Sequence, residues 1–436
     1  MSSWTMMKWA ALVGLSLSAV FLCAHFPLFD TGESIALHQT SITGWLYRRF
    51  CSPERLPYAE HTGEYEATGL QNNSYIFVRI QERIHEMTNL ICDFAVDAGL
   101  LNAILVIPEI TSCTSSKGIS DSGNNNFLHT VVKVNYKPYG IDYPSGVTGR
   151  FTNGKTFVDL IAQFLGLPSA PPYMGLSTND KINITTGVNY ASGSAGILME
   201  SGTAEGENLC FEKQIKYFQD TVTTDLLSIF KTPTEVLKYL SKSILVISIG
   251  SNDYINNYLK PAVYQSSQLY TPPQFADYLL NLLVQGLKKL YSLGGRKFLV
   301  FNIGQIGCVP MIANSVTPEL NTLCVEDVND MVLLYDNRLR NILRKLESTL
   351  VGSTFVHGDA YNLKKLSSGS GQNPCCAVGV DGLCLPDQTP CQDRDKYSFW
   401  DGFHPTEVVN RNLAKDCFNG SFSCVPLNVQ QLAQKH

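Results

Sequence analysis

The feature that most constrains the fold is a pair of short, unbroken apolar runs, "ILVISI" (Ile244 to Ile249) and "FLVFNI" (Phe298 to Ile303), each ending at a glycine-containing loop. A strand with apolar side chains on both sides must be covered on both, which is the situation of a parallel sheet. Between the runs, "FADYLLNLLVQGLKKLYSLGG" has helical apolar spacing and stops at Gly294 and Gly295. A second long helix, "VEDVNDMVLLYDNRLRNILRKLESTL", leads into a third strand candidate, "STFVHGDAY". Strand, helix, strand, helix, strand is the order of a doubly wound α/β domain. Ligands of such sheets sit beyond the carboxyl ends of the strands, so the loops that follow strands are where chemistry is to be sought.

The first 112 or so residues have a different character. A polar, irregular stretch, "CSPERLPYAEHTGEYEATGLQNNS", precedes "FVRIQERIHEMTNLICDFAVDAGLL", in which Ile80, Ile84, Met87, Ile91 and Phe94 recur at spacings of three and four. That spacing predicts one amphipathic helix with a core-facing stripe. "AILVI" (Ala103 to Ile107) reads as a short buried strand ended by Pro108.

With 44% apolar and 16% charged residues over 436 positions, the chain has the makings of a substantial core. A net charge of −5, without charge runs, argues against a nucleic-acid partner and against an electrostatic membrane anchor. Lys8 followed by the apolar run 9–24 has the form of a secretory signal, although Leu22 stands where a small residue is expected before cleavage. An uncleaved anchor is the competing interpretation, since "HFPLF" prolongs the apolar stretch; no stable membrane span is favoured. Nine of thirteen cysteines lie between Cys210 and Cys424, at spacings unlike those of a zinc finger, which predicts disulfides and an oxidising compartment. Cys308 and Cys324 are placed to close a small loop. Adjacent Cys375 and Cys376 are expected to pair elsewhere, among Cys384, Cys391, Cys417 and Cys424, with connectivity open. Sequons at Asn72, Asn183 and Asn419 fit the same compartment.

Three stretches carry candidate chemistry. In "YSFWDGFHPTE", Asp401 and His404 lie three apart, so one loop can supply an imidazole base and the carboxylate that orients it; the alternative is that Asp401 caps a helix starting near Pro405. In "ISIGSNDY", Asn252 follows a strand end and its amide can donate to a developing oxyanion; the alternative is an ordinary Asn-Asp turn. "GVNYASGSAGIL" (Gly187 to Leu198) is rich in small residues, and Gly193 or Gly196 would let a backbone N–H approach a reacting carbonyl. His357 reads as a satisfied structural histidine on a strand, and Arg150 as half of a structural ion pair.

Taken in order, "DSGNNNF", "YGIDYPSGVTGRFTNGKTFVDLIAQFLGLP", "GVNYASGSAGIL", "ISIGSNDYINNYL", "NIGQIGCVP", "NPCC" and "FWDGFHPTE" resemble the plant GDSL-type esterase/lipases, a branch of the SGNH hydrolases, from about Gly118 to Gln434. The resemblance implies a flavodoxin-like three-layer α/β/α sandwich with a mostly parallel sheet, preceded by an atypical N-terminal extension at residues 1–117, with the hydrolase domain at 118–436. It implies a secreted hydrolase of acyl or acetyl esters, with a small-molecule or polymer ester as partner and no metal or cofactor. By motif, His404 is the general base, Asp401 its orienting carboxylate, and Asn252 and Gly193 the oxyanion donors, with Gly196 competing for the last place.

One block departs. The family pattern runs F-G-D-S-L, a further residue, then D-x-G-N-N-N. Aligned on "DSGNNN", the nucleophilic serine falls on Gly118, its aspartate on Lys117 and its glycine on Ser116, while Ile119 keeps its character. "TSCTSS" (Thr111 to Ser116) has no apolar run, so the strand that feeds the nucleophile is expected to be missing. Ser120 is the best substitute, ahead of Ser116 and Ser122. Yet a shift of two residues displaces a hydroxyl by several ångström, where about 1 Å already matters. The expectations are an impaired hydrolase, or alternatively a non-catalytic ester- or glycan-binding protein, or a gene product whose first segment is misassembled.

Overall fold

A computed structural model describes residues 109–114, 122–316, 324–362 and 373–435, all within one compact unit, residues 105–436. Its centre is a six-stranded sheet: β1 (Glu109–Thr114), β2 (Gly187–Asn189), β3 (Ile244–Ser248), β4 (Lys297–Phe301), β5 (Thr354–Gly358) and β6 (Cys424–Val425). The spatial order is β2-β1-β3-β4-β5-β6. All neighbours pair in parallel except β6, which closes the edge antiparallel to β5. The three strands predicted from apolar runs are thus β3, β4 and β5.

β1 corrects the expectation of a missing strand. "EITSCT" pairs with β2 on one side and β3 on the other, in the interior of the sheet. Its sequence is rich in threonine rather than Val or Leu, but threonine is β-branched and suits extended backbone. The open slot between β2 and β3 supplies ladder partners that no apolar pattern could announce. The predicted helix around Ile80 to Phe94 and the strand candidate "AILVI" lie outside the described residues, as do Asn72 and the apolar run 9–24.

Five helices do most of the covering: α1 (Phe157–Phe164), α2 (Phe211–Asp220), α3 (Pro272–Ser292), α4 (Glu326–Thr349) and α5 (Glu407–Asn419). Alternate strand residues point to opposite sides. Leu245, Ile247, Phe298, Val300 and Phe355 join a core with Phe211, Ile215, Leu279, Leu283, Val332 and Leu339 of α2, α3 and α4. Ile244, Val246, Leu299, Phe301 and Val356 pack instead on Phe157, Ile161, Leu413 and Ala414 of α1 and α5. Helix-breaking signals fall where the sequence put them: α3 opens with a capping box at Thr271, and Gly294, just past its end, sits at φ 116°. Among the described residues no helix is long and apolar enough to cross a membrane.

A third, smaller core gathers Val134, Tyr139, Phe151, Leu383 and Trp400 with four cysteines' worth of cross-linking. The pairs Cys375–Cys391 and Cys376–Cys384 tie this lobe together, and Cys308–Cys324 and Cys417–Cys424 close two further loops. As expected, the adjacent cysteines do not bond each other.

His357 lies on β5 with 5% of its surface exposed, but it is not the satisfied histidine expected, because its Nδ1 is buried without a hydrogen-bond partner. Burial, reinforced by the charge of Arg340, pulls its pKa down to about 4. The unfolded chain takes up this proton near pH 6.5 and the folded chain only near 4, so the stability it confers is complete above 6.5 and drains away as pH falls towards 4. Replacing it by His357→Phe should therefore reduce the stability lost between pH 7 and pH 4 by up to about 3 kcal/mol, read from urea unfolding at the two pH values. An unchanged difference between them would show that His357 titrates normally.

Candidate active site

The best-formed chemical group stands on the loop before α5. His404 Nδ1 lies 2.7 and 2.8 Å from the two oxygens of Asp401. A carboxylate only accepts, so the proton sits on Nδ1 and Nε2 keeps the lone pair a base needs. The Asp401 side chain is fully buried, while 13% of the His404 side chain is exposed, enough for a reactant to reach the ring. The backbone N–H groups of Phe403 and His404 both donate to Asp401 Oδ1 at 2.8 Å, and the Tyr139 hydroxyl donates to Oδ2 at 2.6 Å. Asp401 is not a helix cap: α5 starts at Glu407, with Thr406 as its N-cap.

The loop is rigid for local reasons. It folds back on itself through Trp400 N to His404 O (2.7 Å) and Thr406 N to Ser398 O (3.2 Å). Neighbouring segments then grip it from outside. Cys375 and Cys376 donate to Phe399 and Trp400, the Thr152 hydroxyl donates to Pro405 O, and Glu407 N donates to the Asn153 side chain.

Asn252 follows the carboxyl end of β3, after Gly250 at φ 125°, where a Cβ would press on Ile303 at 2.9 Å. Its amide donates to Ala195 O at 2.9 Å and its oxygen accepts from Asn256. Neither Asn252 nor Asp253 bonds its own backbone, so this is no simple Asn-Asp turn. Asp253 is fully buried and accepts from Ile197 N, Leu198 N and the Ser201 hydroxyl at 2.7 to 2.9 Å, binding the 193–201 loop to the end of β3. Burial still raises its carboxyl to about 6 against those three donors.

In the stretch "GVNYASGSAGIL" the first three residues are strand β2 and the remainder is loop. The two candidate glycines differ in surroundings. A Cβ on Gly196 would strike Asp253 and Ser201 at 2.6 Å, whereas one on Gly193 would strike the Phe151 ring at 2.6 Å. Phe151 is also the ring against His404, with centroids 4.8 Å apart. Gly193, not Gly196, therefore shares a wall with the imidazole. The Gly193 N–H donates to Asn125 Oδ1 at 3.0 Å.

The asparagines of "GNNN" act as staples. Asn124 donates to Asn189 O and Ala191 O and accepts from Met174 N; Asn125 grips Ser192, Gly193 and Val132; Asn126 donates to Thr148 O. Gly123, at φ 119°, lets the chain pass within 2.3 Å (to a would-be Cβ) of Thr148 O. Arg150 is the structural ion pair the sequence pointed to. Its guanidinium meets both oxygens of buried Asp159 at 2.7 and 2.8 Å and lies over the Tyr143 ring. Gly118 and Ser120 lie outside the described residues. The chain leaves β1 at Thr114, which pairs with Ser248, so its exit is beside the strand that leads to Asn252.

The family model described as GDSL-like Lipase/Acylhydrolase matches residues 116–417. GDSL esterase/lipase 7 of Arabidopsis thaliana is 42% identical over 327 residues, covering 72% of this chain and 89% of that protein. The chain belongs to the GDSL esterase/lipase family. Two more GDSL esterase/lipases of Arabidopsis thaliana are 41% and 39% identical over 332 and 329 residues, each match covering 72% of this chain and 85% and 87% of the relatives. By family, then, the protein is a carboxylic ester hydrolase.

Within this GDSL esterase/lipase, sequence reasoning missed Tyr139, Asn125, Phe151 and Asp253. Each sits in a stretch that carried the resemblance, yet nothing in spacing alone assigned it a contact. Burial raises the Asp159 carboxyl, but the charge and hydrogen bonds of Arg150 outweigh it and hold the group below its usual range. The pair's contribution is thus present at neutral pH and lost only as pH falls through that depressed value. Arg150→Met, which strands a buried carboxylate, should cost about 3–5 kcal/mol at pH 7, measured by urea unfolding; a loss under about 1 kcal/mol would mean that the pair behaves like a surface one.

Proposed function

We propose that this chain is a secreted member of the family with a flavodoxin-like three-layer α/β/α architecture, built to bind acyl or acetyl esters, small or polymeric, and impaired in hydrolysing them. The observation that carries the ester-binding part is the Asp401–His404 pair, whose carboxylate is oriented by three further hydrogen-bond donors and whose imidazole is partly exposed. The strand order 2-1-3-4-5 is that of flavodoxin-like sheets, whose ligands bind beside the first and third strands. His404 acts as general base and Asp401 holds its tautomer and stabilises the imidazolium. Asn252 provides the main oxyanion donor. One amide hydrogen holds Ala195 O, and the other has no partner among the described residues. Such a donor is worth about 2.7–4 kcal/mol in comparable sites. Gly193 is the second donor, in exchange for its bond to Asn125.

The impairment rests on Gly118, which stands where the family's serine belongs. Removing the serine of a triad lowers kcat on the order of 10⁶-fold in a well-studied protease. The same glycine favours a second reading, an ester- or glycan-binding protein without turnover. The place of β1 in the sheet supports the reading that what this chain lacks is the nucleophile alone. Export is supported by the signal-like run 9–24, by the four disulfides among the described residues, and by exposed sequon asparagines Asn183 and Asn419.

With p-nitrophenyl butyrate, the natural chain should show no turnover above that of its His404→Ala variant. The triple change Ser116→Gly, Lys117→Asp, Gly118→Ser should raise the rate by roughly 10³-fold or more, again dependent on His404. His404-dependent turnover by the natural chain would instead make Ser120 or a neighbour the nucleophile. A folded triple variant that gains nothing would contradict the nucleophile as the missing part.

A further inference from the structure

The Asp401 carboxylate is fully buried, and its partners are unequal. Two are backbone N–H groups of its own loop, and one is the imidazole it serves. The fourth, the Tyr139 hydroxyl, comes from 262 positions away in the chain. Tyr139 has no exposed surface and is wedged between the rings of Tyr136, Phe151 and Trp400 at centroid distances of 5.5 to 6.5 Å.

The direction of its hydrogen bonds is forced. Cys384 N lies 3.0 Å from the same hydroxyl, and a backbone N–H can only donate. The tyrosine oxygen therefore accepts from Cys384, and its single proton is committed to Asp401 Oδ2. Tyr136 holds the other side of Cys384, donating to its carbonyl at 2.9 Å. Cys384 is itself bonded to Cys376. The cross-linked lobe thus presents one N–H that polarises the phenol, and the phenol passes that on to the carboxylate.

We propose that Tyr139 is a positioning residue for the dyad, fixing the Asp401 carboxylate and tuning how strongly it holds the His404 proton. Tyr139 touches no reacting atom; it acts through Asp401. A donor on Oδ2 draws charge from the carboxylate, which lowers its pull on the imidazolium. Without it Asp401 is the stronger base and His404 keeps its proton to higher pH. The same hydroxyl fixes the plane of the carboxylate, and so the direction in which Nε2 faces. Burial and the adjacent Asp401 charge push the phenol far above its usual range, so it remains a donor at any working pH.

This inference rests on Asp401–His404 being the working pair, and its test needs no turnover. The His404 ring is titrated by nuclear magnetic resonance in the whole natural chain, with assignment from His404→Ala. In Tyr139→Phe the His404 titration should move to higher pH than in the natural chain, and the Nδ1–H resonance should shift. Tyr136→Phe, which releases Cys384 from its other side, should leave both in place. If Tyr139→Phe does not fold, 3,5-difluorotyrosine at position 139 keeps the shape and strengthens the donor, and should move the His404 pKa downward. A His404 titration that stays fixed in every folded Tyr139 variant, while Asp401→Asn shifts it, overturns the role of Tyr139 and leaves the dyad standing. A titration indifferent to Asp401→Asn as well overturns both.

Discussion

A carboxylate with no exposed surface can remain charged only if the protein replaces the water it has lost, and around Asp401 that requirement organises three separate parts of the chain. The loop at 398–406 supplies two N–H groups, the segment around Tyr139 supplies a hydroxyl, and the cross-linked lobe at 375–391 supplies the N–H that orients the hydroxyl. Phe151 then backs the imidazole on one side and reaches Gly193 on the other. The disulfides of the lobe matter here because they limit how far Cys384 can drift from Tyr139.

A second buried carboxylate, Asp253, performs a matching task at the end of β3. Asp253 ties the loop that carries Gly193 to the end of β3 that carries Asn252, so the two oxyanion candidates are held in one frame. Asn125 closes that frame from the "GNNN" turn. Neither residue is placed to react. Both convert loops, which are ordinarily the mobile parts of such a domain, into fixed walls.

What the sequence revealed follows from how locally each feature is encoded. β3, β4, β5, α3 and α4 are long, regular apolar patterns and were legible directly. β1 was not, because a threonine-rich strand owes its state to the vacant ladder between two neighbours and not to its own hydrophobicity. β2 is three residues long and hid inside a loop-like stretch. Asp401 and His404 are three apart and could be paired by inspection once the family pattern was recognised. Tyr139 and Asp401 are separated by 262 positions, and no spacing rule connects them. Likewise, only the structure shows which side chain, Phe151 or Asp253, fills the space beside Gly193 and Gly196, and that distinction favours Gly193.

On the proposed reading, the base, its carboxylate and the oxyanion candidates serve a nucleophile position that the sequence fills with Gly118. The most direct measurement is intact-mass spectrometry after exposure to a fluorophosphonate, which bonds covalently to an activated serine and requires no knowledge of the natural ester. The natural chain should remain unlabelled, and the chain carrying Ser116→Gly, Lys117→Asp and Gly118→Ser should take one adduct at residue 118, lost again with His404→Ala. A stoichiometric, His404-dependent adduct on any serine of the natural chain would show that it possesses a working nucleophile after all.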